Sequence, residues 1–315
     1  MSAAIEFKSL YKWFGKRLAV NNLNFEIQGG EIFGLVGPNG AGKTTTMRML
    51  VTLLKPDKGE IFVGGYSIAK QRNDARRIIG FMPDSFGVYG DMTVNEYLDF
   101  FGACYKVNPR QRGKLISDLL DLVDLGHRRE DMVDTLSTGL KQRLGIARVL
   151  IHDPQILILD EPASGLDPRA RVEIRELLLE IARLGKTILF SSHILADVAE
   201  LCSRVGIIEA GSMVAIGTLS ELSEQVMPHR QIRIGLLGRS SDAAAILSAL
   251  DGVRAVREVD GEKYAALEAD FVGGDEALGG LLAALLAQGL PVVHFSEATK
   301  NLEEVFMRTT KGIIS

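Results

Sequence analysis

Nine consecutive residues, Gly37-Pro38-Asn39-Gly40-Ala41-Gly42-Lys43-Thr44-Thr45, lie between an apolar run, Ile32–Val36, and a stretch of helix formers, Thr46–Leu54. Strand, glycine loop, helix is a demanding order, because it feeds a buried strand into a helix whose N-terminus faces a ligand. Glycines at 37, 40 and 42 let backbone N–H groups turn inward on phosphates, and the helix N-terminus adds partial positive charge. Lys43 is placed to reach β- and γ-phosphates, and the Thr44 hydroxyl to ligate Mg²⁺. A plain glycine-rich turn would not need every one of these fixed positions filled. The run therefore predicts a nucleotide triphosphate with Mg²⁺ on a P-loop of the α/β class.

A second apolar run, Ile156-Leu157-Ile158-Leu159, ends in Asp160-Glu161-Pro162. A buried strand has no use for adjacent acids at its tip unless something positive or protic sits there. Asp160 suits Mg²⁺, directly or through water; Glu161 suits orienting and deprotonating an attacking water. Short β-branched runs recur with helices between them, at Glu31–Val36, Thr187–Ser191 and Val205–Glu209 as well. That alternation predicts a mostly parallel sheet. Ile5–Leu10, Asn22–Ile27 and Ile61–Val63 are instead expected to be antiparallel, with turns at residues 14–16 and 28–30.

Further landmarks complete the pattern: Leu136-Ser137-Thr138-Gly139-Leu140-Lys141-Gln142-Arg143 upstream of the acidic strand, Ser164-Gly165-Leu166-Asp167 after it, and Ser192-His193 after the strand at 187–191. Together these resemble the ATP-binding cassette (ABC) family over residues 5 to about 217, in particular the ATPase subunits of bacterial exporters that encode cassette and permease separately. The resemblance implies an ATPase with a RecA-like core, an antiparallel β-lobe and a helical subdomain at about 85–135 that docks the permease. It implies head-to-tail pairing with a second cassette, a copy of this chain or a related one. Ser137, Thr138 and Gly139 would then meet the γ-phosphate across the interface. It makes Phe14 the aromatic that stacks on adenine, His193 the γ-phosphate sensor and Asp167 the D-loop acid. Taken alone, Phe14 would be an ordinary core aromatic and His193 more often a satisfied structural histidine. Asp167 also suits a helix N-cap before Pro168, and Trp13 either shares the adenine or packs on the β-lobe.

Two positions depart from the family pattern. The signature is commonly LSGGQ, whereas Thr138 and Leu140 stand at its third and fifth places. The Q-loop glutamine expected after Met82-Pro83 is Asp84, a shorter, charged side chain that still suits Mg²⁺ but reaches it differently. Beside it, Phe86, Val88, Tyr89 and Met92 form either a groove for the permease or the core of the helical lobe.

A polar stretch, Ser220 to Arg230, divides an ATPase domain (1–220) from a second domain (231–315). There the order strand, helix, strand, strand, helix, strand predicts a small ferredoxin-like α+β fold with a regulatory or dimerising role, closed by a helix at Asn301–Thr309. With 46% hydrophobic and 24% charged residues and a formal charge of -4, the chain offers no electrostatic footprint for nucleic acid. Cys104 and Cys202 form no CxxC pair. Residues 1–10 lack the apolar core of a signal peptide, and no run approaches the ~20 apolar residues of a membrane span. The expected place is the cytoplasmic face of the membrane, peripheral through the permease.

Overall fold

The computed structural model describes residues 3–310 except 86, 88, 227–228, 238–240, 260–263 and 298–301. Two compact units divide it. One takes in the chain up to Leu219 and again from Phe306; the other runs from Ser220 to Val305.

The first unit opens with a long hairpin, β1 (Ala3–Phe14) and β2 (Arg17–Gln28). Its turn is two residues, with Gly15 at φ 59°, the left-handed geometry that matches the twist of a hairpin. Next come β3 (Ile32–Val36), α1 (Lys43–Leu50), β4 (Lys58–Val63) and β5 (Tyr66–Ser67). β1, β2, β4 and β5 form one antiparallel sheet in the order β2-β1-β4-β5. Phe7, Phe25 and Phe33 stack in series beneath it, with ring centroids 4.2 and 5.5 Å apart.

The chain then runs through α2 (Arg72–Ile78), β6 (Ile79–Met82), α3 (Val94–Cys104), α4 (Pro109–Leu122) and α5 (Thr138–Leu150). The helical subdomain expected at 85–135 contains α3 and α4. α3 starts on a capping box, Thr93 with Glu96, and α4 on Asn108 with Pro109 in its first turn. β7 (Ile156–Asp160), α6 (Pro168–Arg183), β8 (Thr187–Ser192), α7 (Leu195–Leu201), β9 (Arg204–Glu209) and β10 (Ser212–Gly217) complete the unit. Six strands make its second sheet in the order β10-β9-β3-β8-β7-β6, with all pairs parallel except the edge strand β10. Every residue of β3, β7 and β8 is buried, which is why these strands read as unbroken apolar runs and not as alternations. β8 lies between β3 and β7. Three loops leaving the carboxyl edge of neighbouring strands therefore meet at one place, where open α/β sheets bind ligands.

The helix after the glycine loop begins at Lys43 and ends at Leu50, three residues earlier than the expected Thr46 and four earlier than Leu54. The β-branched Thr44 and Thr45 are weak helix formers, but Gly42 caps the helix at φ 106° and commits them to it. Thr52, at φ 65°, turns the chain out of it.

The second unit begins with α8 (Leu219–Val226) and goes on through β11 (Arg230–Leu236), α9 (Ser241–Ser248), β12 (Val253–Val259), β13 (Ala265–Phe271), α10 (Asp275–Ala287) and β14 (Val292–Glu297). Its sheet is wholly antiparallel in the order β12-β13-β11-β14, the ferredoxin-like arrangement. Ile232, Ile234, Leu236, Leu267, Ala269 and Phe271 alternate along β11 and β13 to one face, and meet Leu247, Leu281 and Leu285 of the helices. In the closing helix α11 (Leu302–Thr309), Leu302 and Val305 are buried, Phe306 is half-buried and Met307 is exposed.

Candidate functional site

The glycine loop wraps a cavity of about 460 Å³ that all residues from Pro38 to Thr45 line. Its backbone has no room for side chains at two turns. A Cβ on Gly37 would stand 2.2 Å from the Ile208 carbonyl, and one on Gly42 would stand 2.6 Å from that of Ala19. Lys43, nearly buried, donates to the carbonyls of Gly37 (2.7 Å) and Pro38 (3.4 Å), and its Nζ lies 3.8 Å from Glu161. Burial holds its ammonium below the usual lysine range, against the carboxylates of Glu161 and Asp160.

Asp160 ends β7 and is 1% exposed. Burial pushes its carboxyl above the usual range; the Ser191 and Thr44 hydroxyls donate to it and oppose the shift, while the charges of Asp84 and Glu161 add to it. Ser191 is placed by register, directly opposite Asp160 on β8. Its hydroxyl donates to Asp160 at 2.5 Å and accepts from the Glu161 N–H at 2.9 Å. Glu161 itself is left-handed, at φ 52°. For a side chain of its size that conformation costs about 1–2 kcal/mol. It turns the carboxylate back into the cavity, where Oε2 meets His193 Nδ1 at 2.6 Å. An Nδ1–H donating to the carboxylate fits this contact and leaves Nε2 directed elsewhere.

Asp84 and Phe14 line the same cavity, as do Arg17, Ala19 and Ser164. Asp84 accepts from the Ser85 N–H at 2.8 Å. Phe14, 51% exposed, carries the Lys12 ammonium 5.7 Å from its ring centre. The strand end is fixed by Asp57, which accepts from the Trp13 N–H at 2.7 Å and from Lys12 at 3.1 Å. Trp13 is not part of the cavity and stacks on Tyr11 at 5.5 Å, the packing alternative of the two open for it. Arg17, Ala19 and the hydroxyl of Ser191 carried no signal in the sequence, and Ser164 entered only as part of the run before Asp167.

Ser137, Thr138 and Gly139 lie elsewhere. Ser137 caps α5, and with Thr138 and Gly139 it lines a separate concavity of about 450 Å³ together with Gly165, Leu166 and Asp167. Asp167 caps α6, accepting from the N–H groups of Arg169 and Ala170 at 3.0 Å each. Of the apolar residues beside Asp84, Phe86 and Val88 lie outside the described residues. Tyr89 is exposed and meets Phe100 edge-on at 5.4 Å.

The donors fit Mg²⁺. A hydroxyl (Thr44) and a carboxylate (Asp160), already hydrogen-bonded to each other, are hard oxygen ligands of the kind that complete their shell with phosphate and water. Among the described residues no group of three or more His, Cys, Asp or Glu side chains could hold a metal by itself.

A glycine cradle, a buried lysine and paired acids at the carboxyl edge of a parallel sheet define a P-loop nucleoside-triphosphatase. Residues 20–164 match the ABC transporter family, and residues 217–310 match the family described as ATP-binding protein DrrA1-3-like, C-terminal domain. The linearmycin resistance ATP-binding protein LnrL of Bacillus subtilis is 33% identical over 97% of this chain and 98% of its own length. The Nod factor export ATP-binding protein I of Burkholderia lata is 36% identical over 98% and 97%. Among solved structures, one titled as the ATP binding subunit of an ABC transporter superposes with a TM-score of 0.64 at 30% identity, covering 70% of this chain and 92% of that one. The chain belongs to the ABC transporter family: it is an ATP-binding, ATP-hydrolysing subunit.

Proposed function

We propose that this chain drives an exporter from the cytoplasmic face of the membrane, acting on a separate permease chain, with ATP and Mg²⁺ held between two cassettes paired head to tail. The second cassette is a copy of this chain or a related one. The export reading is supported by relatives named for Nod factor export and linearmycin resistance. Among the described residues no helix is long and apolar enough to cross a membrane, in keeping with a separate permease. The exposed Tyr89 and Phe100 on the α3 lobe are the surface we assign to the permease.

The observation that carries the pairing is the separation of the two concavities. The signature residues Ser137, Thr138 and Gly139 share no lining residue with the P-loop cavity. A second chain would bring its own Ser137 hydroxyl and α5 N-terminus to the γ-phosphate.

Bound through Thr44 and Asp160, Mg²⁺ would neutralise phosphate charge. Lys43, turned from the Gly37 carbonyl to the β- and γ-phosphates, adds the fixed positive charge. Glu161 takes the proton of the attacking water. His193, 2.6 Å away, holds that carboxylate in place and reports the γ-phosphate. Asp84 tunes water and metal placement without serving as the base, so Asp84→Gln is expected to keep hydrolysis.

Glu161→Gln tests the whole arrangement. It deletes the base and keeps the shape. Phosphate release is expected to fall by about 10²–10⁴-fold, and with Mg²⁺ and ATP the variant is expected to elute as a dimer in size-exclusion chromatography. Near-wild-type turnover would remove Glu161 as the base; a monomer at every ATP concentration would remove the sandwich.

A further inference from the structure

Phe14 and Arg17 are paired directly across the end of the β1–β2 hairpin. Directly opposed residues of an antiparallel pair project to the same side with Cβ atoms about 5 Å apart, and both line the P-loop cavity. Two residues along β2, Ala19 lines it too, with its carbonyl against Gly42, the residue that caps α1. At about 3.4 Å per residue, Arg17 is roughly 7 Å along the strand from that contact. It therefore stands beside the aromatic ring at one end of the cavity, and its long side chain spans toward the helix N-terminus at the other. Lys43 is the first residue of that helix and is engaged by Gly37, Pro38 and Glu161. A nucleotide with its base on Phe14 and its terminal phosphates at Lys43 passes its base-proximal phosphates beneath Arg17. A guanidinium is a planar fork of donors that matches phosphate oxygens two at a time.

We propose that Arg17 is a specificity-determining residue for the nucleotide. Its guanidinium holds the α- and β-phosphates, the part common to ATP and ADP. The proposal rests on the reading of this cavity as the ATP site. The contact favours di- and triphosphates over the bare nucleoside and is blind to the γ-phosphate, so it retains product as well as substrate. The γ-phosphate is then left to Lys43, His193 and the second cassette.

Isothermal titration calorimetry on the full chain reads nucleotide binding directly. Titrations with ATP, ADP and adenosine are compared for the wild type, Arg17→Gln and Arg17→Lys. Arg17→Gln is expected to raise the Kd of ATP and of ADP alike by about tenfold, the worth of one charge-assisted pair. The Kd of adenosine should stay within about twofold, and Arg17→Lys should fall between Arg17→Gln and the wild type. Unchanged ATP and ADP affinity overturns the proposal. A loss confined to ATP would place Arg17 on the γ-phosphate, and an equal loss for adenosine would place it on the base; either result also overturns it. Should Arg17→Gln melt early, Arg17→Lys decides by itself: a loss of twofold or more shared by ATP and ADP supports the contact, and none removes it. Lys43→Ala is the control for the cavity. If Lys43→Ala loses ATP binding while Arg17 variants do not, only this proposal fails; if Lys43→Ala binds normally, the reading of the cavity as the ATP site fails.

Discussion

At the carboxyl edge of the first unit's parallel sheet, Asp160 and Lys43 are almost wholly enclosed, and Glu161 is held in a left-handed backbone. The second unit places its charges otherwise. Arg230 joins Glu297 of β14 to Asp275 of α10, and Arg257 joins Asp270, all near the surface. The faces of its sheet and helices that meet are lined by apolar residues. Every described non-glycine residue with positive φ lies at or before Ala210; among the described residues of the second unit only Gly252 and Gly289 are positive. Energetically, the first unit carries desolvated charge and backbone strain where Mg²⁺ would meet the Asp160 carboxylate and phosphate the Lys43 ammonium. The second keeps its ion pairs near solvent. The difference marks one unit as built around a ligand and the other as built around its own fold.

The contrast is sharpened most by Asp160→Asn. Removing the buried charge is expected to lower phosphate release by about 100-fold or more while raising the melting temperature of the nucleotide- and metal-free chain by roughly 2–4 °C. The sign follows from the raised folded pKa of Asp160. The folded state holds that proton more tightly than the unfolded chain, so the wild type loses stability as pH rises through the carboxylate range. The advantage of the asparagine is therefore full at neutral pH and fades on acidification. Calorimetry at two pH values checks it; a destabilised variant would show that the charge supports the fold. Ser191→Ala is expected to act more gently. It frees Asp160 and the Glu161 N–H from their shared hydroxyl, and turnover should fall about tenfold with the ATP Kd within twofold. Arg230→Ala is the smallest. Its partners are solvent-screened, so the melting temperature should shift by less than about 2 °C and ATPase activity not at all. A larger loss of activity would break the division between the units.

The sequence carried the site wherever its parts were contiguous. The glycine loop, the acids after Leu159 and the signature each read as a string, since their chemistry needs fixed local spacing. The order of strands and helices after Arg230 likewise exposed the second unit, because that order by itself defines a ferredoxin-like fold. What stayed illegible depends on register between distant strands. Ser191 opposes Asp160 only because β8 pairs with β7 in parallel at that offset, and Arg17 enters the cavity only because the hairpin turn is two residues long. The start of α1 was misplaced for a related reason. Glycine geometry at position 42 overrode the local preference of Thr44 and Thr45.

The separation of the signature residues from the P-loop has a kinetic corollary on the proposed pairing. A lone chain holds half of two active sites, so hydrolysis by free subunits would follow encounter frequency, and dilution alone would silence them without any inhibitor. A permease that seats two cassettes side by side replaces that encounter with an effective concentration in the millimolar range. The membrane partner would thus gate fuel consumption simply by assembling the enzyme, and subunits adrift in the cell would leave the ATP pool untouched.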